Sequence, residues 1–198
     1  MSNIAANTWV PTGNDYIIDG LWGRLGVQEE FGETYISGAT NGLAIQETDD
    51  KVFLYVGAAN GGIHLRAYDK NSDSWGDSWN WINKPGSGYE GSQAIGVLSI
   101  SPNGEYLAVG QGNPSNGKFL AAPSQGVAIG KINNDGSIDW LPVSDNALKS
   151  LENENIRSME WVGDSLVALS YTGNPKLEGK LITLTLAAGE ITDIANDK

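Results

Sequence analysis

Apolar and polar residues alternate in short runs along most of the chain, and Gly, Asn, Asp, Ser and Pro break the runs apart. Side chains two positions apart share one face of a strand, so this pattern predicts strands in up-and-down meanders. A first unit is expected to place strands at Gly42–Ile45, Lys51–Gly57, Gly62–Tyr68 and Ser78–Ile82. A second repeats the order at Ile95–Ile100, Glu105–Gly110, Gln125–Ile132 and Ser137–Leu141. A third has Arg157–Val162, Ser165–Ser170, Gly179–Leu186 and Glu190–Ile194.

Corresponding first strands fall near Leu43, Val97 and Met159. Their spacing is slightly longer than the repeat of about 40–50 residues found in propeller blades, as inserted loops would make it. Pro102-Asn103-Gly104 is a tight-turn signature between two strands of the second unit. Ser144–Leu151 is the one stretch with a helical pattern, capped by Ser144 or Asp145. The expected fold is all-β, a propeller-type meander of four-stranded blades at 39–93, 94–155 and 156–198, after an N-terminal segment 1–38. Closed propellers have about four to eight blades. Three blades leave two apolar faces uncovered, more than a soluble monomer usually exposes. Three solutions follow: a longer propeller of which this is a piece, self-association, or an atypical fourth blade built from Tyr16–Ile18 and Thr34–Ile36.

Composition agrees with a packed sheet protein: 198 residues with 40% hydrophobic content, 26 glycines and 7 tryptophans. No apolar run is long enough for a spanning helix. Asp and Glu total 24 against 12 Lys and Arg, a formal charge of −12. Without a basic stripe to displace phosphate counterions, nucleic-acid and anionic-membrane partners are not expected. The absence of cysteine excludes disulfides, thiolate metal sites and a Cys nucleophile. Met1–Thr8 lacks a basic and then apolar leader, so leaderless export and a cytoplasmic location are the alternatives.

The segments Ile36–Ile45 and Leu54–Ile63 resemble the opening strands of a blade in Asp-box (BNR-type), sortilin-like β-propeller proteins. Thr8–Gly13 is similar to the segment that leads into such a blade, and Ala94–Pro102 with Val109–Asn113 to the next one. The resemblance spans roughly residues 8–186. It implies Asp-box turns between third and fourth strands, in which a carboxylate accepts turn amides, a glycine supplies positive φ and an aromatic packs inward. The matching residues are Asp73, Gly76 and Trp79, with one residue too many between Asp and Gly, and Asp135, Gly136 and Trp140, with one too few. The third unit, at Ala187–Ile191, has lost the pattern. In xyloglucan-degrading members of the group a catalytic Asp occupies the place of Ala59, and sialidases need an arginine cluster where this chain has only Arg24, Arg66 and Arg157. Both comparisons count against hydrolysis.

Asp69, Asn71 and Asp73 offer oxygens at alternate positions, as calcium loops do. Ser74 stands where the loop glycine belongs and Asn80 where the bidentate acid belongs, so a hairpin turn held by side-chain to backbone bonds is the favoured reading. Trp79 and Trp81 share one side of a strand and are expected to pack between blades, with Trp75 nearby. His64, the sole histidine, has no nucleophile or acid partner suggested by spacing. Glu29, Glu30, Glu33, Asp49, Asp50 and Asp77 lie in turns or runs and are expected to face solvent rather than form a hydrolytic pair. The glycine-rich stretch from Gly110 to Gly117 lacks the Lys-Ser/Thr and helix of a phosphate cradle and is expected to be a long loop. Trp22, Tyr89, Gln93, Gln111, Asn113 and Asn116 are the expected recognition rim. The function expected is a non-catalytic binding or scaffolding module for a glycan or a protein. The alternatives are part of an Asp-box glycoside hydrolase and a calcium-stabilised extracellular structural module.

Overall fold

The computed structural model describes residues 40–58, 61–77, 79–83, 86–89, 95–112, 126–141, 151, 154–173, 177–187 and 190–197. Within them the chain is antiparallel β-sheet with almost no helix. The first sheet contains β1 (Thr40–Glu47), β2 (Lys51–Ala58) and β3 (Gly62–Asp69). The second is β6 (Ile95–Ile100), β7 (Tyr106–Gln111), β8 (Val127–Ile132) and β9 (Ile138–Trp140). The third is β10 (Asn155–Val162), β11 (Ser165–Gly173), β12 (Leu177–Ala187) and β13 (Glu190–Asp197). Strand order within each sheet follows chain order.

One expected element is corrected. The fourth strand of the first sheet is two short pieces, β4 (Ser74–Trp75) and β5 (Asn80–Trp81), both paired with β3. Between them the Gly76 amide donates to Ala67 O at 2.8 Å, and the Gly76 carbonyl accepts Arg66 Nε and Nη2 at 3.0 and 2.6 Å. Those bonds draw the chain out of the ladder until Ile82 N–H returns to Ile63 O at 2.9 Å.

Each first strand carries a register break near its start, between Thr40 and Gly42, Ile95 and Val97, and Ile156 and Ser158. Such bulges bend and twist a strand locally. Their recurrence shows that the units repeat in three dimensions, although their sequences share little.

The sheets stack in order. Ala44, Phe53, Tyr55, Ile63 and Leu65 on one face of the first pack against Ile95, Leu98, Leu107 and Val109 of the second. The second sheet's other face, with Ala108, Val127 and Ile129, packs on Met159, Trp161, Leu166, Ala168, Ile182 and Leu184 of the third. Glycine lets the backbones close up at these seams: a Cβ on Gly57 would lie 2.4 Å from Ile95 Cγ2, and one on Gly110 2.7 Å from Ile156 Cγ2. Trp140 and Trp161 sit in the seams, whereas Trp75, Trp79 and Trp81 are half-buried and belong to neither apolar cluster. Neither Trp79 nor Trp81 takes part in the two seams among the described residues. Trp81 pairs with His64 and so projects from the opposite face to Ile63 and Leu65.

The expected N-terminal segment 1–38 and all but the last residue of the 144–151 helix lie outside the described residues. Leu151 itself is fully buried.

Candidate functional site

The meander sorts the connections between the two ends of the stack. At the end where first strands finish, the links are short: 48–50, 70–73, 101–105, 133–137, 163–164 and 188–189. The end where first strands begin carries the three long connections, 82–94, 112–126 and 141–154, and two short ones, 59–61 and 174–176.

Buried polar groups pin those ends. Asn83, fully buried at the root of 82–94, accepts the Ile63 amide at 2.7 Å and the Trp81 indole N–H at 2.9 Å through Oδ1. Its side chain also bonds the Tyr89 hydroxyl. Tyr89 lies edge-on to Trp140 with centroids 4.7 Å apart, so this loop is tied to the second sheet as well as the first. Burial pushes the Tyr89 hydroxyl well above the ordinary phenol range, opposed by the Asn83 bond. His64, beside this node and buried, donates from Nε2 to Gly61 O at 2.9 Å. Burial lowers its pKa, and the Gly61 bond opposes that only in part.

The 112–126 connection is closed at its base by Gln111 N–H donating to Gly126 O at 2.8 Å. At the end of 141–154, buried Glu154 accepts the Ser170 hydroxyl at 2.9 Å and pairs with Lys180 Nζ. A buried carboxylate requires this kind of pairing.

The expected rim residues divide. Gln111 is fully buried where it pairs with Ile95, and Tyr89 packs against Trp140 and the first apolar cluster, so neither is an exposed contact. Trp22, Gln93, Asn113 and Asn116 lie outside the described residues. The last two belong to the connection that leaves β7 at this end. Asn83 belongs to the Asn83–Tyr89 insertion that the sequence suggests for the rim, but it is buried; Glu154, Ser170 and Lys180 carry no signal in the sequence.

At the opposite end, Asp69 Oδ1 accepts the amides of Asn71 and Ser72 at 2.8 and 3.0 Å, which holds its carboxyl below the usual range. Asp73, at φ 52°, accepts the Tyr68 hydroxyl, and Asn71 reaches Asp50 at 3.3 Å. Asp69, Asn71 and Asp73 therefore close a hairpin turn. Among the described residues no three His, Cys, Asp or Glu side chains are grouped to hold a metal ion.

Asp73 does not cap turn amides as the Asp-box pattern implies; Asp69 does so instead. Gly76 is exposed, and half-buried Trp79 lies 5.8 Å from the Arg66 guanidinium. In the second sheet Asp135 Oδ1 accepts the Ser137 amide at 2.9 Å and hydroxyl at 2.6 Å. Gly136 takes φ 83°, and its carbonyl accepts the Tyr55 hydroxyl at 2.9 Å across the seam. No family model matches the chain, and comparison with curated proteins gives no match either.

Proposed function

We propose that the chain is a propeller-type binding module of the Asp-box kind, non-catalytic, that recognises a glycan or a protein through its long-loop end. Two observations support the propeller part. First, the sheets stack with first strands side by side, β1 against β6 and β6 against β10. Second, Asp135, Gly136 and Trp140 perform the capping, positive-φ and packing roles that an Asp-box turn requires. The observation that carries the binding part is where the long connections start: 82–94, 112–126 and 141–154 all lie at one end of the sheets, beside the buried, hydrogen-bonded Asn83 and Glu154, while the links at the other end are all short.

The test is replacement of residues 113–125 by a Gly-Ser segment of equal length, followed by glycan-array and peptide-display binding. Binding by the parent and loss of binding in the variant, with melting temperature retained, is the expected result. Hydrolysis of a polysaccharide that a single Asp→Asn change abolishes would overturn the non-catalytic reading.

A further inference from the structure

The two inner seams define which face of each sheet looks toward the preceding sheet. Leu98, Val109 and Ala128 form one row on that face of the second sheet, and Met159, Ala168 and Ile182 form the matching row of the third. Leu98 and Met159 are both buried, at 6% and 5% exposure. The matching row of the first sheet is Leu43, Val56 and His64, and the next is Ile45, Leu54 and Arg66. Here Leu43 is 60% and Ile45 57% exposed, so the face is open along β1, while Val56, His64 and Arg66 farther across it are buried. On the same face, Arg66 Nη1 is buried with no hydrogen-bond acceptor among the described residues.

The third sheet shows the complementary situation. On the first sheet the row Gly42, Gly57 and Ile63 looks toward the following sheet, and on the second the row Val97, Gly110 and Val127 does so. The matching row of the third sheet is Ser158, Leu169 and Leu181, beside Glu160, Val167 and Thr183. Leu169 and Leu181 are 48% and 43% exposed, and Val162 on the same face is 65% exposed.

We propose that a second copy of this chain docks head-to-tail on these faces, the first sheet of each copy seating on the third sheet of the other. The proposal rests on the propeller reading above. It continues the interface that already joins first to second and second to third sheets, row on row. The Trp161 indole reaching Ser99 O at 3.4 Å sets the correspondence. Under it the exposed Ile45 and half-buried Leu54 meet Glu160 and Val167. Two copies of the three sheets among the described residues give six, inside the range of about four to eight at which propellers close. A head-to-tail contact whose rotation closes makes a ring and leaves neither face in water.

The experiment is light scattering and sedimentation of the full chain across a dilution series, with Ile45→Asp and Leu169→Asp as variants. A dimer is expected for the parent and monomers for both variants. Mixing the two variants restores a weaker heterodimer, because one seam in it is undamaged. Should either variant fail to fold, hydrogen exchange of the parent's β1 and β11 amides supplies the readout, and protection that falls on dilution is expected. A parent that is monomeric throughout, as when residues 1–38 cover the first face, overturns the proposal. So does an open-ended polymer, or a variant mixture with no recovery. A monomer whose sheets still form three wedges in class-averaged images sinks the docking and leaves the propeller reading intact. Flat layers in place of wedges sink both.

Discussion

The turns that follow β3 and β8 share an order of Asp, Gly and Trp, yet they do different work. The second-sheet turn reaches into the first sheet. Gly136 is buried, its carbonyl bonds Tyr55, and a Cβ there would lie 2.5 Å from Phe53 Cδ1. The first-sheet turn stays in solvent: Gly76 is exposed, and the nearest atom to a Cβ on it is Ala67 O at 3.5 Å. What separates the two is the neighbour. The second-sheet turn has a preceding sheet to dock on, whereas the first-sheet turn has none among the described residues. A local motif therefore acquires energetic weight only where stacking gives it a partner.

The sharpest break of this contrast is Gly136→Ala beside Gly76→Ala. At Gly136 the left-handed backbone and the clash with the Phe53 ring together cost about 3 kcal/mol, whereas Gly76→Ala stays within about 0.5 kcal/mol. Urea unfolding of the two variants measures both. Next in size is Tyr55→Phe, which removes a buried donor from the Gly136 carbonyl and is expected to cost about 1–2 kcal/mol in the same assay. Tyr68→Phe, at the solvent-facing turn, costs less.

Alkaline titration sharpens the point. Burial raises the Tyr55 and Tyr89 hydroxyls far above the ordinary 10.0. The folded state therefore holds protons that the unfolded state releases, and stability falls as pH rises past about 10, by up to about 1.4 kcal/mol per pH unit for each tyrosine. Thermal melts from neutral pH upward should show this loss, reduced in Tyr55→Phe. The smallest effect is Asp135→Asn. The Ser137 hydroxyl and amide hold the Asp135 carboxyl below its usual range. Its contribution is present above the unfolded carboxyl pKa and fades as pH falls through the lower folded value. The variant should melt slightly lower at neutral pH and lose the acid-side decline.

Strand positions were legible because alternation is local. β6 begins and ends where the alternation of Ile95–Ile100 does, and β10 and β11 lie within a few residues of expectation. The split of the first sheet's fourth strand was not legible, since it depends on Arg66 reaching across to the Gly76 carbonyl. Gln111 reads as a loop polar residue by composition, and only the path of β7 shows it to be buried. The burial of Asn83 and Glu154 was equally silent, for an Asn or Glu beside a loop is ordinarily solvated. Their partners Ile63, Ser170 and Lys180 come from other strands.

The amino-acid order by itself determined the β meanders of the described residues, three in number, with the chain's acidic charge and the lengths of its links, because each of these rests on neighbours in sequence. Which tryptophans fill the seams and which leucines stay bare was decided by stacking, and which polar groups are buried by contacts between strands distant in sequence. Equivalent positions such as Leu43, Leu98 and Met159 differ in environment only through the sheet that lies, or does not lie, against them.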